Sequence, residues 1–137
     1  MFKCKPGISI LEILIVIVII GILAALAVPG YERARENAVA REARASLKLI
    51  AAAEKIYSLE EGYFYPDASI TTEDNIVTIN SDLKLQLRED NWDYTVSRVG
   101  GNFAATANRI SGSYDDCIYS IDQDDRDAAP VAPADCP

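Results

Sequence analysis

One ionisable side chain, Glu12, lies inside the most apolar stretch of this sequence. The stretch from Gly7 to Gly30 reads GISILEILIVIVIIGILAALAVPG, with no charged or polar side chain between Ile13 and Val28. A carboxylate among hydrocarbon side chains is costly unless it meets a positive charge or hydrogen-bond donors. An acidic residue in a segment that reads as a membrane helix is therefore a candidate functional site.

The cysteines offer a second kind of chemistry. Cys117 and Cys136 lie near the C-terminus in an acidic, loop-rich segment, which favours a disulfide in an oxidising compartment. Such a bond would add roughly 3 kcal/mol by the chain-entropy estimate. The alternatives are two free thiols or a metal-binding pair, and the wide spacing without another soft ligand argues against a metal. Cys4 stands alone before the apolar stretch.

The acidic run DQDDRD is a weak candidate calcium site, at Asp122, Asp124 and Asp125. Carboxylate oxygens suit Ca²⁺, but the run lacks the ligand spacing of an EF-hand. A solvated acidic loop is the favoured interpretation, and we predict no cofactor.

The absence of histidine removes whole classes of catalytic site. Among 137 residues there is none, so Ser–His–Asp and Cys–His arrangements are excluded. No spacing distinguishes one pair of carboxylates in a chain of net charge −8, and nothing supports a membrane-anchored enzyme. The same negative charge, without a basic stripe, argues against nucleic-acid binding.

The element that positions Glu12 is an apolar helix from Ile8 to Val28. At about 1.5 Å per residue it is roughly 30 Å long, the thickness of a hydrocarbon core. It exceeds the apolar region of a cleaved secretory signal and continues into further helix, so we interpret it as retained. An ordinary single-span anchor is the alternative. Lys3 and Lys5 before the span compete with arginines after it, so charge alone does not determine its orientation.

A second helical stretch follows Pro29 and extends to a predicted stop at Gly62. It is rich in Ala, Glu, Arg and Leu, which are strong helix formers. Pro29 is expected to bend the helix or open its hydrogen bonding. Apolar side chains at spacings of three and four form a stripe that predicts packing against a sheet: Val39, Ala43, Leu47, Ile50, Ala53 and Tyr57, widened by Leu49, Ala52, Ile56 and Leu59.

The remaining residues, 63–137, are predicted to form a small antiparallel sheet, which gives an α+β head with one helix laid across a meander. Gly100 and Gly101 suit a hairpin turn. Residues 63–75 and the Asp-, Ala- and Pro-rich tail are expected to be irregular. The predicted strands are Ile76–Asn80, LKLQLR with Leu83, Leu85 and Leu87 on one face, WDYTVSR with Trp92, Tyr94 and Val96 inward, FAATANRI, and Cys117–Ile121 as the last, edge strand.

The N-terminal segment resembles that of type IV pilins and pseudopilins. In that family a short basic leader ends in Gly, a Glu stands fifth after the cut, and a long apolar helix runs on to a Pro. Gly7, Glu12, Gly21 and Pro29 fall on those positions. Ile8 departs from the usual Phe, although the family tolerates other apolar residues there. Downstream only the architecture corresponds, with a helix, a small sheet and a C-terminal cysteine pair.

The resemblance implies a pilin fold and a processed precursor. Residues 1–7 would be a leader that prepilin peptidase removes between Gly7 and Ile8, with N-methylation of Ile8 afterwards. Residues 8–30 would be the transmembrane and filament-core helix, 31–62 the amphipathic helix of the head, and 63–137 the sheet with its disulfide loop. The N-terminus would be cytoplasmic, the precursor would lie in the bacterial inner membrane, and the filament would be extracellular.

The resemblance also implies a role for Glu12. The carboxylate would pair with the new amino group of Ile8 on a neighbouring subunit, although pairing within its own subunit is equally open. A slipped subunit would leave the charge unpaired, so Glu12 would set the register of assembly. Between Gly21 and Pro29 the helix is expected to lose hydrogen bonds inside the filament.

Two filament functions follow from the resemblance. The main prediction is a self-polymerising type IV pilus subunit for adhesion, twitching motility or DNA uptake, assembled by inner-membrane pilus machinery. The alternative is the major pseudopilin of a type II secretion system, whose short filament acts as a piston. Such pseudopilins usually carry a calcium site in the C-terminal loop and lack the cysteine pair. Cys117 and Cys136 therefore favour the pilus.

Overall fold

The computed structural model describes residues 8–67, 71–112, 114–125, 127–133 and 136–137. It divides into two compact units, one ending at Asn37 and the other comprising Ala38–Pro137. The described part of the first unit is mainly helical, and the second unit is a helix packed on a sheet.

Helix α1 comprises Ile10–Glu61. It ends where the sequence predicts, because Gly62 adopts the left-handed conformation with φ 84° and its N–H donates to the Ser58 carbonyl oxygen at 3.0 Å. Glycine carries no Cβ and tolerates this conformation, so it stops the helix at little cost.

The sheet is an antiparallel meander in the order β1-β2-β3-β4-β5. Strands β2 and β3 pair from Trp92 opposite Arg109 to Val99 opposite Asn102. Gly100 and Gly101 form the turn between them with φ of 61° and 90°, the positive values that a tight hairpin requires. The five strands are Thr72–Glu73, Trp92–Val99, Asn102–Arg109, Ile118–Asp122 and Ala129–Ala132.

The core of the head lies between α1 and one face of this sheet. The indole N–H of Trp92 donates to the Val39 carbonyl oxygen of α1 at 3.0 Å, and the Trp92 ring meets Tyr119 edge-on at 5.4 Å between centroids. The predicted α+β packing is confirmed. The main contributors are buried side chains of the predicted helix stripe and of alternate strand positions: Ala43, Leu47, Ile50, Ala53, Trp92, Tyr94, Val96, Phe103, Ala105 and Ala107.

The predicted strand Ile76–Asn80 is wrong, because these residues begin helix α2, Ile76–Asp82. The Asn75 side chain accepts hydrogen bonds from the N–H of Val77 at 2.9 Å and of Thr78 at 3.4 Å, which caps the helix. The four apolar or β-branched residues from Ile76 to Ile79 predict a strand only when this cap is ignored.

The predicted strand through Leu83, Leu85 and Leu87 is also wrong. Leu83 and Leu87 are buried, but the segment is irregular and pairs with no strand among the described residues. Asn80 holds it instead, donating to the Leu87 carbonyl oxygen at 2.9 Å and accepting from the Leu87 N–H at 2.7 Å. Alternating burial here comes from a loop folded over the core.

The C-terminal region contains more sheet than predicted. Strand β5 lies in the tail expected to be irregular and pairs with β4, so β4 is not an edge strand. Pro130 lacks an N–H and is tolerated because β5 is an edge strand. The two-residue strand β1 likewise interrupts the predicted loop 63–75.

The predicted widening of the helix stripe is wrong. Leu49, Ile56 and Leu59 are 55%, 59% and 86% exposed, and Ala52 is exposed as well. The sheet covers only the narrower stripe, so α1 presents a second apolar strip to solvent in the head.

Candidate assembly site

Glu12 lies in the first turn of α1. The Ser9 carbonyl oxygen accepts hydrogen bonds from the backbone N–H of Glu12 at 3.1 Å and of Ile13 at 3.2 Å. A negative charge in this turn is favoured by the helix dipole, typically by about 0.3–1 kcal/mol. The Glu12 side chain is exposed and makes no hydrogen bond or ion pair with the described residues. Its charge is therefore open to a partner outside the described chain.

The large apolar side chains from Ile10 to Val28 are all exposed. Their exposed fractions run from 49% at Ile15 and Val16 to 85% at Ile10. By length and composition α1 could cross a membrane. A helix that is apolar on all sides needs apolar surroundings, either lipid or other helices. This segment can therefore serve as an anchor and as packing surface for other subunits.

The predicted processing site is described only in part. Gly7 and the rest of the leader lie outside the described residues, whereas Ile8 is described and 73% exposed. Helix α1 runs through Gly21 and Pro29 without a break in this single chain. The loss of helical hydrogen bonds between them concerns the assembled filament and stays a prediction.

The C-terminal residues are fastened to the head at several points. A disulfide joins Cys117 to Cys136, with Cα atoms 5.7 Å apart. The Arg44 Nη2 of α1 donates to the Pro137 carbonyl oxygen at 2.8 Å, and the Tyr119 hydroxyl donates to the same oxygen. The Arg44 guanidinium also lies over the Tyr119 ring, 5.0 Å from its centroid. The cysteine pair was predicted from the sequence, whereas the contacts of Arg44 were not.

Replacing Cys117 and Cys136 together by serine is expected to lower the free energy of unfolding by about 3 kcal/mol, because the disulfide restricts the unfolded chain. Denaturant unfolding of the full chain in detergent micelles measures this. Reductant should destabilise the wild type by a similar amount and leave the double variant unchanged. Equal midpoints for the wild type and the variant under oxidising conditions would contradict the prediction.

The candidate calcium residues stabilise their own turn. Asp122 Oδ1 accepts hydrogen bonds from the backbone N–H of Asp124 at 2.8 Å and of Asp125 at 3.1 Å. Asp125 Oδ2 accepts from the Asp122 N–H at 3.2 Å. Within the described ranges no three acidic or cysteine side chains stand close enough to hold a metal. The geometry therefore lends the calcium prediction no support.

Glu54 is a buried carboxylate that was not predicted from the sequence. It is fully buried, and its Oε2 accepts a hydrogen bond from the Tyr65 N–H at 2.9 Å. Its Oε1 has no hydrogen-bond partner among the described residues. Burial raises the pKa of Glu54 to about 7, against the lowering effect of the Tyr65 bond. Its place one helical turn after Ile50, on the sheet-facing stripe, is the signal that could have identified it.

Comparison with known proteins identifies a relative of stated function. The type II secretion system core protein G of Pseudomonas aeruginosa is 40% identical to this chain over 62 residues. The match spans 45% of this chain and 43% of that protein. No family model matches the chain, and no solved structure gives a significant match. The relative confirms the resemblance found in the sequence, and it favours the alternative function predicted there over the main one.

Proposed function

We propose that this chain, which resembles type IV pilins and pseudopilins, is a filament subunit of a type II secretion system. The observation that carries the proposal is the identity with core protein G of such a system. The exposed apolar half of α1 and the helix-on-sheet head support a structural role rather than an enzymatic one.

The proposed assembly begins with a membrane precursor. The apolar part of α1 holds the subunit in the inner membrane with the head outside, where the compartment is oxidising and the Cys117–Cys136 bond persists. Prepilin peptidase removes the leader after Gly7, and the new amino group of Ile8 is N-methylated. The assembly machinery then passes the subunit to the growing filament, whose repeated head-to-tail contacts generate an open polymer.

Glu12 provides the register of that polymer. In an apolar filament core its carboxylate is strongly penalised unless it meets the Ile8 amino group, and a slipped subunit leaves both charges unpaired. One position of the incoming subunit therefore has a lower free energy than its neighbours.

A type IV pilus subunit is the second candidate function. It is favoured by the disulfide between Cys117 and Cys136, since pseudopilins of this kind usually lack the pair. Both candidates use the same anchor, processing and assembly chemistry, and they differ in what the filament does.

Deletion of the gene distinguishes the two functions. We expect secreted proteins to accumulate inside the mutant cells while surface pili remain visible by electron microscopy. A plasmid copy of the wild-type gene should restore secretion and serves as the control. Loss of pili with normal secretion would contradict the proposal and support the second candidate.

The mature chain is expected to begin at an N-methylated Ile8. Mass spectrometry of the native protein from membranes measures this. A strain without prepilin peptidase provides the control and should retain the leader. A wild-type chain that still begins at Met1 would refute the processing step.

A further inference from the structure

A pocket lined by three tyrosines lies in the head at the end of α1. Tyr57 of α1, with Tyr63 and Tyr65 of the segment that follows, line a cavity of about 400 Å³. The rings of Tyr63 and Tyr65 both meet Tyr57 edge-on, with centroids 5.9 and 5.6 Å away. Aromatic faces grouped in this way are a common binding surface for organic cations.

The lining of this tyrosine pocket is strongly acidic. Among the described residues that line it, the one ammonium group is that of Lys84, which donates to the Ser81 carbonyl oxygen at 2.9 Å. A concave surface with this excess of negative charge attracts cations. The described part of the lining includes five carboxylates: Glu60, Glu61, Asp67, Glu73 and Asp82.

The side chains of Tyr57 and Tyr65 remain neutral at physiological pH. Burial, the hydrogen bond with Tyr63 and nearby carboxylates together raise the pKa of Tyr57 to about 12, with burial contributing most. The pKa of Tyr65 is raised in the same direction, again chiefly by burial. Neutral phenols retain their electron-rich faces and their hydroxyl hydrogen-bonding groups.

A guanidinium already contacts one of these rings. The Arg98 guanidinium lies 5.2 Å from the Tyr63 ring centroid, outside the residues that line the cavity. Tyr63 therefore accepts an arginine on one side in this fold. A planar guanidinium can also donate to carboxylates while it stacks on an aromatic ring.

The exposed apolar strip of α1 leads to the tyrosine pocket. Leu49 and Ile56 line a second cavity of about 330 Å³, and this cavity shares Tyr57, Glu60, Asp82 and Lys84 with the first. The two cavities form one continuous surface, apolar at one end and acidic at the other. Such a surface fits a helix that carries both apolar and basic side chains.

The chain itself carries the complementary charge on a helix. Arg33, Arg35 and Arg41 of α1 are exposed and make no hydrogen bond or ion pair within the described ranges. A head-to-tail polymer of identical subunits needs two different, complementary surfaces on each subunit. The acidic pocket and these exposed arginines are two such complementary surfaces.

We propose that the tyrosine pocket binds the guanidinium of Arg33, Arg35 or Arg41 from a second copy of this chain. The guanidinium stacks on the tyrosine rings and donates to the surrounding carboxylates, while the apolar strip packs against the same helix. This inference rests on the proposed filament function and names one of its contacts between subunits.

Cysteine cross-linking in cells that assemble filaments tests the contact. The full chain carries Glu61→Cys together with Arg33→Cys, Arg35→Cys or Arg41→Cys, and a short bismaleimide joins cysteines of neighbouring copies. We expect one of the three pairs to give a ladder of cross-linked dimers and larger species. In a chain that keeps all three arginines, Tyr63→Leu alone should reduce the number of filaments about fivefold, because the ring that holds the guanidinium is lost.

The matched control places the cysteine in a different cavity. Glu89 is exposed and lines the cavity formed with Asp74 and Asp93, so Glu89→Cys with the same arginine variants should give no ladder. A charge reversal adds a second measurement. Glu61→Arg should reduce the number of filaments about tenfold, and the reciprocal arginine-to-glutamate change should restore them, whereas Glu89→Arg should have little effect.

The outcomes separate this inference from the proposed function. Normal wild-type filaments with no ladder from any of the three pairs would overturn the inference and leave the filament function intact. A second outcome also overturns the inference. If Glu61→Arg loses filaments but no pair gives a ladder and no reciprocal change restores them, the pocket binds a different partner. Failure of the wild-type chain to form filaments would instead overturn the proposed function.

Discussion

Replacing Glu12 by alanine is expected to abolish filament assembly while the head stays folded. In the proposed filament, the variant would leave the Ile8 amino group without a counter-charge in an apolar core. Removing one partner of a buried ion pair costs about 3–5 kcal/mol. This corresponds to a loss of roughly 10²- to 4 × 10³-fold in the association constant of each subunit. The Glu12 side chain makes no hydrogen bond or ion pair with the described residues, so the fold of the head should not change.

Electron microscopy and the yield of sheared filaments measure the effect, and circular dichroism of the purified variant checks the fold. Glu12→Gln keeps the shape of the side chain but not its charge and should also fail. Glu12→Asp shortens the reach and should assemble in part. Glu32→Ala changes an exposed carboxylate of the same helix and is the matched control. Normal filaments from Glu12→Ala would refute the ion-pair role.

The parts of the fold that follow local physical rules were predictable from the sequence. Trp92, Tyr94 and Val96 alternate with polar residues, and all three are buried against the helix as this period requires. Gly100 and Gly62 lie where positive φ angles are needed, so the hairpin and the helix end were correctly placed. These elements depend on neighbours in sequence.

The secondary-structure elements that were predicted wrongly depend on contacts outside the short stretch of sequence that each prediction considered. Helix α2 forms because Asn75 caps it, and the leucine segment after it is held by Asn80 across the loop. Strand β5 forms because β4 offers an edge, in spite of Pro130. Propensity is a weak guide in such cases, since tertiary contacts decide the outcome.

The candidate site likewise contains residues that could be predicted from the sequence and residues that could not. Glu12 was identifiable because a carboxylate in an apolar run is costly wherever the chain places it. The role of Arg44 was not identifiable from the sequence, because its partner Pro137 lies 93 positions away along the chain. Glu54 lies one helical turn after Ile50 on the sheet-facing stripe, which marks a core position, whereas its hydrogen bond from the Tyr65 N–H is evident only in the folded structure.

Glu54 is expected to make the head less stable as the pH rises from about 4.5 to about 7. Its pKa increases from the ordinary value of 4.5 to about 7 on folding, so the folded state binds the proton more tightly than the unfolded state. The resulting stability is fully present below pH 4.5 and is lost as the pH rises through 7. At about 1.4 kcal/mol per pKa unit, the loss amounts to roughly 3 kcal/mol.

Glu54→Gln isolates this contribution, because its amide oxygen can still accept the Tyr65 N–H while the side chain cannot ionise. Denaturant unfolding of the full chain in micelles, followed by Trp92 fluorescence between pH 4.5 and 8, gives the free energies. The wild type should lose about 3 kcal/mol more than Glu54→Gln across this range, whereas the exposed control Glu60→Gln should follow the wild type.

Glu54→Ala should be less stable than Glu54→Gln at every pH, since it leaves the Tyr65 N–H unpaired beside a cavity. Parallel pH curves for the wild type and Glu54→Gln would mean that the buried carboxylate titrates alike in the folded and unfolded chains, and the account of Glu54 would then be wrong.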